Sequence, residues 1–338
     1  MTLLTDLGVT NPVLAAPMAG GPTTPELVIA AARAGSLGFL AGGYKPAAAL
    51  AEQLEATAAV TVGVNLFAPN PLPVQRSAYD RYRDELRPDA ERYGVELPEE
   101  PVEDDDAWRD KIDLLLASPV PVVSFTFGIP EAAVVEALHR AGSLLVQTVT
   151  SADEARQAAD AGLDALAVQG SSAGGHSGTL TPQKPLAIRP LTELLTEIGH
   201  ATDLPRIAAG GLTSAAEVAV ALRLAVGVAV GTALLLAPEA GTSAAHRAAL
   251  TGPSRAGTVL TRAFTGRPAR ALPNRFVHDH DASAPLGYPA LHHLTRPLRA
   301  AAAAAADPEL VNLWAGTGYH AAIAKPAEEI LGGLAAAL

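Results

Sequence analysis

Short apolar runs recur along the chain, each closed by Gly, Asn or Pro and followed by an Ala/Leu/Glu-rich stretch of helical character. They predict strands at 13–18 (VLAAPM), 37–43 (LGFLAGG), 61–66 (TVGVNL), 121–127 (PVVSFTF), 144–149 (LLVQTV), 165–170 (ALAVQG), 206–211 (RIAAGG) and 226–232 (VGVAVGT). The intervening helices, such as TPELVIAAARAG and TSADEARQAADAG, open on Thr or Ser, place acid in the first turn and stop at Gly. Continuously apolar strands alternating with helices imply a parallel sheet under a helical layer. Eight such units fit a closed (β/α)8 TIM barrel better than an open doubly wound sheet. The open sheet would want G-x-G-x-x-G after its first strand, and APMAGGPTTPEL lacks that spacing.

Two stretches break the alternation. Residues 69–118 carry much of the charge in the chain and three of its six Tyr, and read as a helical insertion after the third strand, its acidic run a solvated face. After residue 250 the pattern stops, and the remainder reads as an added segment ending in a helix. The expected division is therefore a barrel from 1–68 and 119–250, with 69–118 and 251–338 capping its mouth.

Composition narrows the function. At 338 residues, 49% of them hydrophobic, the chain can fill one large barrel and its additions. A net charge of -11 repels phosphate backbones, and 4% aromatic residues are few for stacking on bases, so nucleic acid is not an expected partner. The absence of Cys removes disulfides, thiolate catalysis and Cys-ligated metals. No basic leader precedes the first apolar residues, and the longest apolar run, LAVGVAVGTALLLA, falls short of a membrane span, so a cytoplasmic protein without membrane attachment is expected. No Walker loop, H-E-x-x-H or G-x-S-x-G is present.

In barrels the chemistry lies in the loops after the strands, and the last two such loops commonly hold a phosphate. Here those loops carry Gly210, Gly211, Gly231 and Thr232, although a Gly-Gly pair can also simply end a strand. Asn65 and Gln147 are amides in otherwise apolar strands. A heterocyclic ligand would satisfy them, and read singly so would neighbouring backbone. His176 follows the sixth strand in SSAGGHSG, where Gly174 and Gly175 leave the imidazole uncovered, in the place expected for a general base. HDHD at 278–281 reads as a surface loop and His292 and His293 carry no useful spacing, whereas Tyr288 and Tyr319 are pocket-lining candidates. No metal site is expected.

These motifs resemble the nitronate monooxygenase family, formerly the 2-nitropropane dioxygenases. The resemblance rests on APMAGGPTTPELVIAAARAGSLGFL, VGVNLF, AVQGSSAGGHSG, RIAAGGL, VGTALL, APLGYPALHHLTRPLR and LWAGTGY, and spans nearly the whole chain. It implies an FMN-dependent barrel that oxidises alkyl nitronates, and nitroalkanes through them, with dioxygen to a carbonyl compound and nitrite. By resemblance, Ala16, Pro17, Met18, Asn65 and Gln147 would contact the flavin. Gly175, Gly210, Gly211, Gly231 and Thr232 would surround its ribityl chain and phosphate, and Gln169, Gly170, Gly174 and Ala209 would also bind the cofactor. His176 would be the catalytic base, with Tyr288 and Tyr319 shaping the substrate pocket. A homo-oligomer is left open. Related FMN-dependent NAD(P)H:quinone and enoyl-thioester reductases share the A-G-G-H-x-G signature and form the alternative, and a flavin binder with little turnover is a third reading. The chain departs from the family pattern at Ser172, where an acidic residue is frequent, and lacks the Asp usual before the eighth strand.

Overall fold

The computed structural model describes residues 3–252 and 257–338. Eight parallel strands close into a barrel: β1 (Val13–Ala15), β2 (Gly38–Ala41), β3 (Val62–Phe67), β4 (Val122–Thr126), β5 (Leu144–Val149), β6 (Ala165–Gln169), β8 (Arg206–Ala209) and β9 (Gly227–Val230), with β9 returning to pair with β1. All eight expected strands are present. A two-residue strand, β7 (Gly175–His176), intervenes, and β10 (Val259–Thr261) and β11 (Ala269–Ala271) follow the barrel. None of these three short strands is expressed in the hydrophobic pattern.

Successive side chains on a strand point to opposite faces, so each barrel strand serves two cores. Leu14, Phe39, Val122, Val146, Ala165 and Ile207 fill the barrel floor. Leu40, Val64, Val123, Leu145, Leu166, Val168, Ala208 and Val228 face outward into the helical layer. Three of the barrel helices start on side-chain caps. Thr24 Oγ1 accepts from Leu27 N with Pro25 following, Ser151 accepts from Glu154 N, and Ser214 and Glu217 form a reciprocal capping box.

Helix assignment corrects the expected boundaries. The helical layer among the described residues comprises Pro25–Arg33, Ala47–Ala56, Trp108–Ala117, Ala132–Arg140, Ala152–Asp160, Leu191–Ala201, Ala215–Ala221 and Ala327–Leu334, one for each barrel strand. Trp108–Ala117, expected within the insertion, places Ile112 and Leu115 in the barrel layer and is the third barrel helix. Ala327–Leu334, expected within the cap, packs against β1 and helix Pro25–Arg33 and is the eighth. Both helices carry an apolar face that only the barrel can bury. The insertions proper thus precede these helices, one after β3 and one after β9.

The two insertions share a core of their own. Tyr79, Tyr82 and Leu86 of helix Arg76–Tyr93 pack with Phe264, Phe276, Leu291, Leu294 and Leu298 from the later segment. That segment also reaches the barrel through β11, which pairs antiparallel with β10 and with β7, setting Ala269 opposite His176. No helix among the described residues is long and apolar enough to cross a membrane.

Candidate active site

A cavity of about 580 Å³ opens at the C-terminal ends of the barrel strands, beneath the cap. Its polar floor comes from inward positions of adjacent strands. Asn65 Nδ2 donates to Ser124 Oγ at 2.9 Å and Thr126 Oγ1 at 3.1 Å, and Thr126 Oγ1 lies 3.3 Å from Thr148 Oγ1. Pairing of the hydroxyls and the amide keeps this buried band satisfied without a charge.

His176 stands on the wall of the same cavity. Gln169, at the end of β6, uses both ends of its amide to close the loop before it: Nε2 donates to the His176 carbonyl at 3.0 Å, and Oε1 accepts from Gly178 N at 2.7 Å. Glu154 braces the far side, its carboxylate accepting from Thr150 N, Thr150 Oγ1, Thr179 Oγ1 and Leu180 N. The imidazole is not uncovered, as the glycine loop suggested. Nε2 lies 2.8 Å from Thr265 Oγ1, and the rings of Trp314, Phe127 and Tyr288 approach within 5.2, 5.7 and 6.1 Å. Burial, reinforced by the Arg267 and Arg299 guanidiniums, pushes its pKa down to about 3, so the ring is neutral at physiological pH.

Ala16, Pro17, Met18, Asn65, Gln169, Gly174, Gly175, Ala209, Gly210, Gly211, Gly231 and Thr232 converge on this cavity as expected. The close approach of three loops needs glycine. A Cβ at Gly174 would stand 2.5 Å from Gly316 N, and one at Gly211, whose φ is +75°, would stand 2.9 Å from Ser172 Cβ. Thr232 Oγ1 accepts from Gly316 N at 2.9 Å, tying the loop after β9 to the tail.

Four expected residues lie elsewhere. Gln147 alternates with the inward Val146 and Thr148 and so faces the helical layer, where it is fully buried and donates to the Thr148 carbonyl. Gly170 lies behind the loop, against Leu191. Tyr288 sits one layer back, its hydroxyl 3.5 Å from that of Tyr44. Tyr319 is buried in an apolar cluster with Leu235, Leu272 and Leu313.

The aromatic wall comes instead from Tyr44, Phe67, Phe127 and Trp314, with His292, Arg296 and Arg299 beside them. Tyr44, at φ +65°, is anchored through its backbone N–H to Asp106 Oδ1 at 2.9 Å, while Asp106 Oδ2 pairs with buried Lys111 at 2.7 Å. Burial raises the Asp106 pKa to about 6, so part of the acidic run is structural and not a solvated face. His292 stacks on Tyr44 at 4.1 Å and 4° between planes. The missed signal is helical: His292, Thr295 and Arg299 recur at i, i+3 and i+7, one face of helix Ala290–Ala304. Buried Arg267 lays its guanidinium over Phe127 at 4.0 Å. HDHD is not a surface loop either: helix Arg275–His280 buries His280 between Glu85 at 2.8 Å and Asp89 at 3.1 Å, joining the two insertions.

The geometry agrees with what the chain resembles. The family model for nitronate monooxygenase matches residues 1–336. A probable nitronate monooxygenase of Staphylococcus aureus (strain N315) is 34% identical over 333 residues, 96% of this chain and 93% of that one. The crystal structure of a nitroalkane oxidase from Streptomyces ansochromogenes superposes with a TM-score of 0.93 at 42% identity, covering 99% of this chain and 97% of that one. FabK from Thermotoga maritima shares the fold, with a TM-score of 0.76 at 23% identity over 99% of this chain and 94% of that one. With a whole-length family match and these relatives behind one barrel and one cavity, the chain belongs to the nitronate monooxygenase family and is an oxidoreductase.

Proposed function

We propose that this cavity binds FMN and oxidises alkyl nitronates with dioxygen to a carbonyl compound and nitrite. The observation that carries the reading is a neutral imidazole, His176, held at the C-terminal end of the barrel strands in the same cavity as a glycine cradle formed by the loops after β6, β8 and β9.

The residues present fit the cofactor. The contacts that a Cβ would make at Gly174 and Gly211 mark a narrow backbone cradle, and the loops after the seventh and eighth barrel strands are the usual place for a phosphate. Gly174, Gly175, Gly210, Gly211, Gly231 and Thr232 would hold the phosphate and ribityl chain. Ala16, Pro17, Met18 and Asn65 would meet the ring system, with Ala209 and Gln169 beside them, while Gln147 has no direct part. FMN bound there supplies the electron-transfer chemistry with dioxygen.

His176 acts on the substrate. Its Nε2 is engaged with Thr265, so a proton taken from the α-carbon of a nitroalkane enters at Nδ1. The nearby Arg267 and Arg299 charges disfavour an imidazolium, and the nitronate anion formed beside it offsets that penalty. A preformed nitronate skips the step altogether. Around it, Tyr44, Phe67, Phe127 and Trp314 keep water from the reacting carbon.

The test is anaerobic mixing of the purified flavoprotein with ethyl nitronate and, separately, with NADH, followed by flavin absorbance. Reduction by the nitronate and not by NADH is expected. Bleaching by NADH alone would overturn the reading in favour of a reductase.

A further inference from the structure

We infer that His292 is a substrate-binding residue of this cavity: its Nε2–H, backed by the Arg299 guanidinium, receives the negatively charged oxygen of the nitronate. The inference rests on the functional reading above and adds to it the side chain that recognises the anion.

The tautomer of His292 follows from its neighbour. Arg299 Nη2 donates to the His292 carbonyl at 2.9 Å and lies 3.3 Å from His292 Nδ1. A guanidinium has donors only, so Nδ1 must accept and the proton of the neutral ring resides on Nε2. Burial and the adjacent Arg299 charge hold the ring in that neutral form. The parallel stack on Tyr44 fixes the ring plane, and the Asp106 contact fixes Tyr44 in turn. His292 therefore brings a pre-oriented hydrogen-bond donor to a cavity that it lines.

The charge around it selects an anion. The hydrogen bonds of Arg299 go to Thr295 Oγ1, Asn312 Oδ1 and His292, all neutral groups, so no carboxylate among these partners cancels its charge. Arg296, one turn before Ala300 on the same wall, adds a second cation, and the nearby Asp104 is turned to His293 at 2.9 Å. Two imidazoles of one cavity thus divide the work. His176 offers a lone pair for a proton, and His292 offers an N–H for the oxygen on which the resulting charge rests.

The experiment compares His292→Phe, which keeps a ring for the Tyr44 stack and removes the donor, with His292→Gln, whose amide nitrogen reaches the Nε2 position. Steady-state kinetics with ethyl nitronate and calorimetric binding of nitrite to the holoenzyme are the readouts. For His292→Phe we expect the KM for nitronate and the Kd for nitrite to rise about tenfold to a hundredfold, the range of a hydrogen bond to a charged group, with kcat little changed. His292→Gln should stay near wild type on both. If His292→Phe does not fold, His292→Asn, whose amide reaches only the Nδ1 position, should show the same weakening. Unchanged KM and Kd in the donor-less variants, with wild type oxidising nitronate, would overturn the inference and leave the functional reading standing. Loss of nitrite affinity in those variants, with a wild type that oxidises no nitronate, would sustain the anion site and overturn the functional reading.

Discussion

His176 Nε2 lies 2.8 Å from Thr265 Oγ1, so the histidine of the glycine loop is oriented by a residue of the cap. Thr265 is buried and its hydroxyl engages Nε2, which leaves Nδ1 as the nitrogen for the proposed proton transfer. Thr265→Val should lower nitroalkane turnover by about tenfold or more, within the range attributed to a positioned base, while preformed nitronate is oxidised nearly as before. Thr265→Ser should restore the difference. Equal effects of Val and Ser would show that the contact is packing alone.

Removing the proposed base should separate the two substrates more sharply. His176→Asn is expected to slow nitroalkane oxidation by about 10²–10⁴-fold, with a much smaller loss on preformed nitronate. Initial rates of nitrite release from paired nitroethane and ethyl nitronate assays decide it, and equal losses would remove His176 from proton transfer.

Lys111 is 1% exposed, and its charge is balanced by Asp106 at 2.7 Å. Asp106→Asn preserves an acceptor for the Tyr44 N–H but leaves a buried ammonium unpaired, which should lower stability by about 3–5 kcal/mol. Replacing both, as Asp106→Asn with Lys111→Met, should recover much of that loss. Urea denaturation of the two variants checks it, and additive losses would refute coupling between the pair.

Three cavity histidines make the fold acid-sensitive. The pKa is pushed down to about 3 at His176 and about 4 at His246, and well below its usual value at His292, in each case chiefly by burial. The unfolded chain binds protons near pH 6.5 while the folded chain does not, so stability is full above that pH and falls as the pH drops below it. Each histidine contributes at most about 1.4 kcal/mol per pH unit. Asp106, raised to about 6, opposes them, because its folded form takes up the proton first. His246→Gln should therefore flatten the fall in unfolding free energy between about pH 6.5 and 5. An unchanged slope would mean that His246 is not held neutral.

Gly174 touches the backbone of Gly316 and Ala315 so closely that no side chain fits. Gly174→Ala should cost about 1–3 kcal/mol through overpacking and release flavin on gel filtration. Full flavin retention with an unaltered melting temperature would contradict the cradle.

The barrel was legible because its strands are mostly apolar runs and three of its helices open on their own side-chain caps, signals that local sequence contains. His176 and the glycine loops were legible for the same reason: they sit at strand ends, where a barrel places its chemistry. Gln147 was misplaced because its face depends on register, and a one-residue shift reverses inside and outside. Tyr44 and His292 were missed because their meeting joins residues far apart in the chain, through a cap whose shape no periodicity specifies. Trp108–Ala117 and Ala327–Leu334 were assigned to the cap because helical patterning does not say which core a helix will cover.

The second of those helices joins the two ends of the barrel. Asn11, two residues before β1, donates to the carbonyl of Leu331, so helix Ala327–Leu334 is fastened to the start of the first strand across 320 residues of sequence. Between β9 and that helix lie Thr265, His292 and Trp314. Such distant closure favours slow assembly. Until helix Ala327–Leu334 docks, β1 and helix Pro25–Arg33 lack the neighbour that covers them, so the first βα unit waits for the most distant segment it touches.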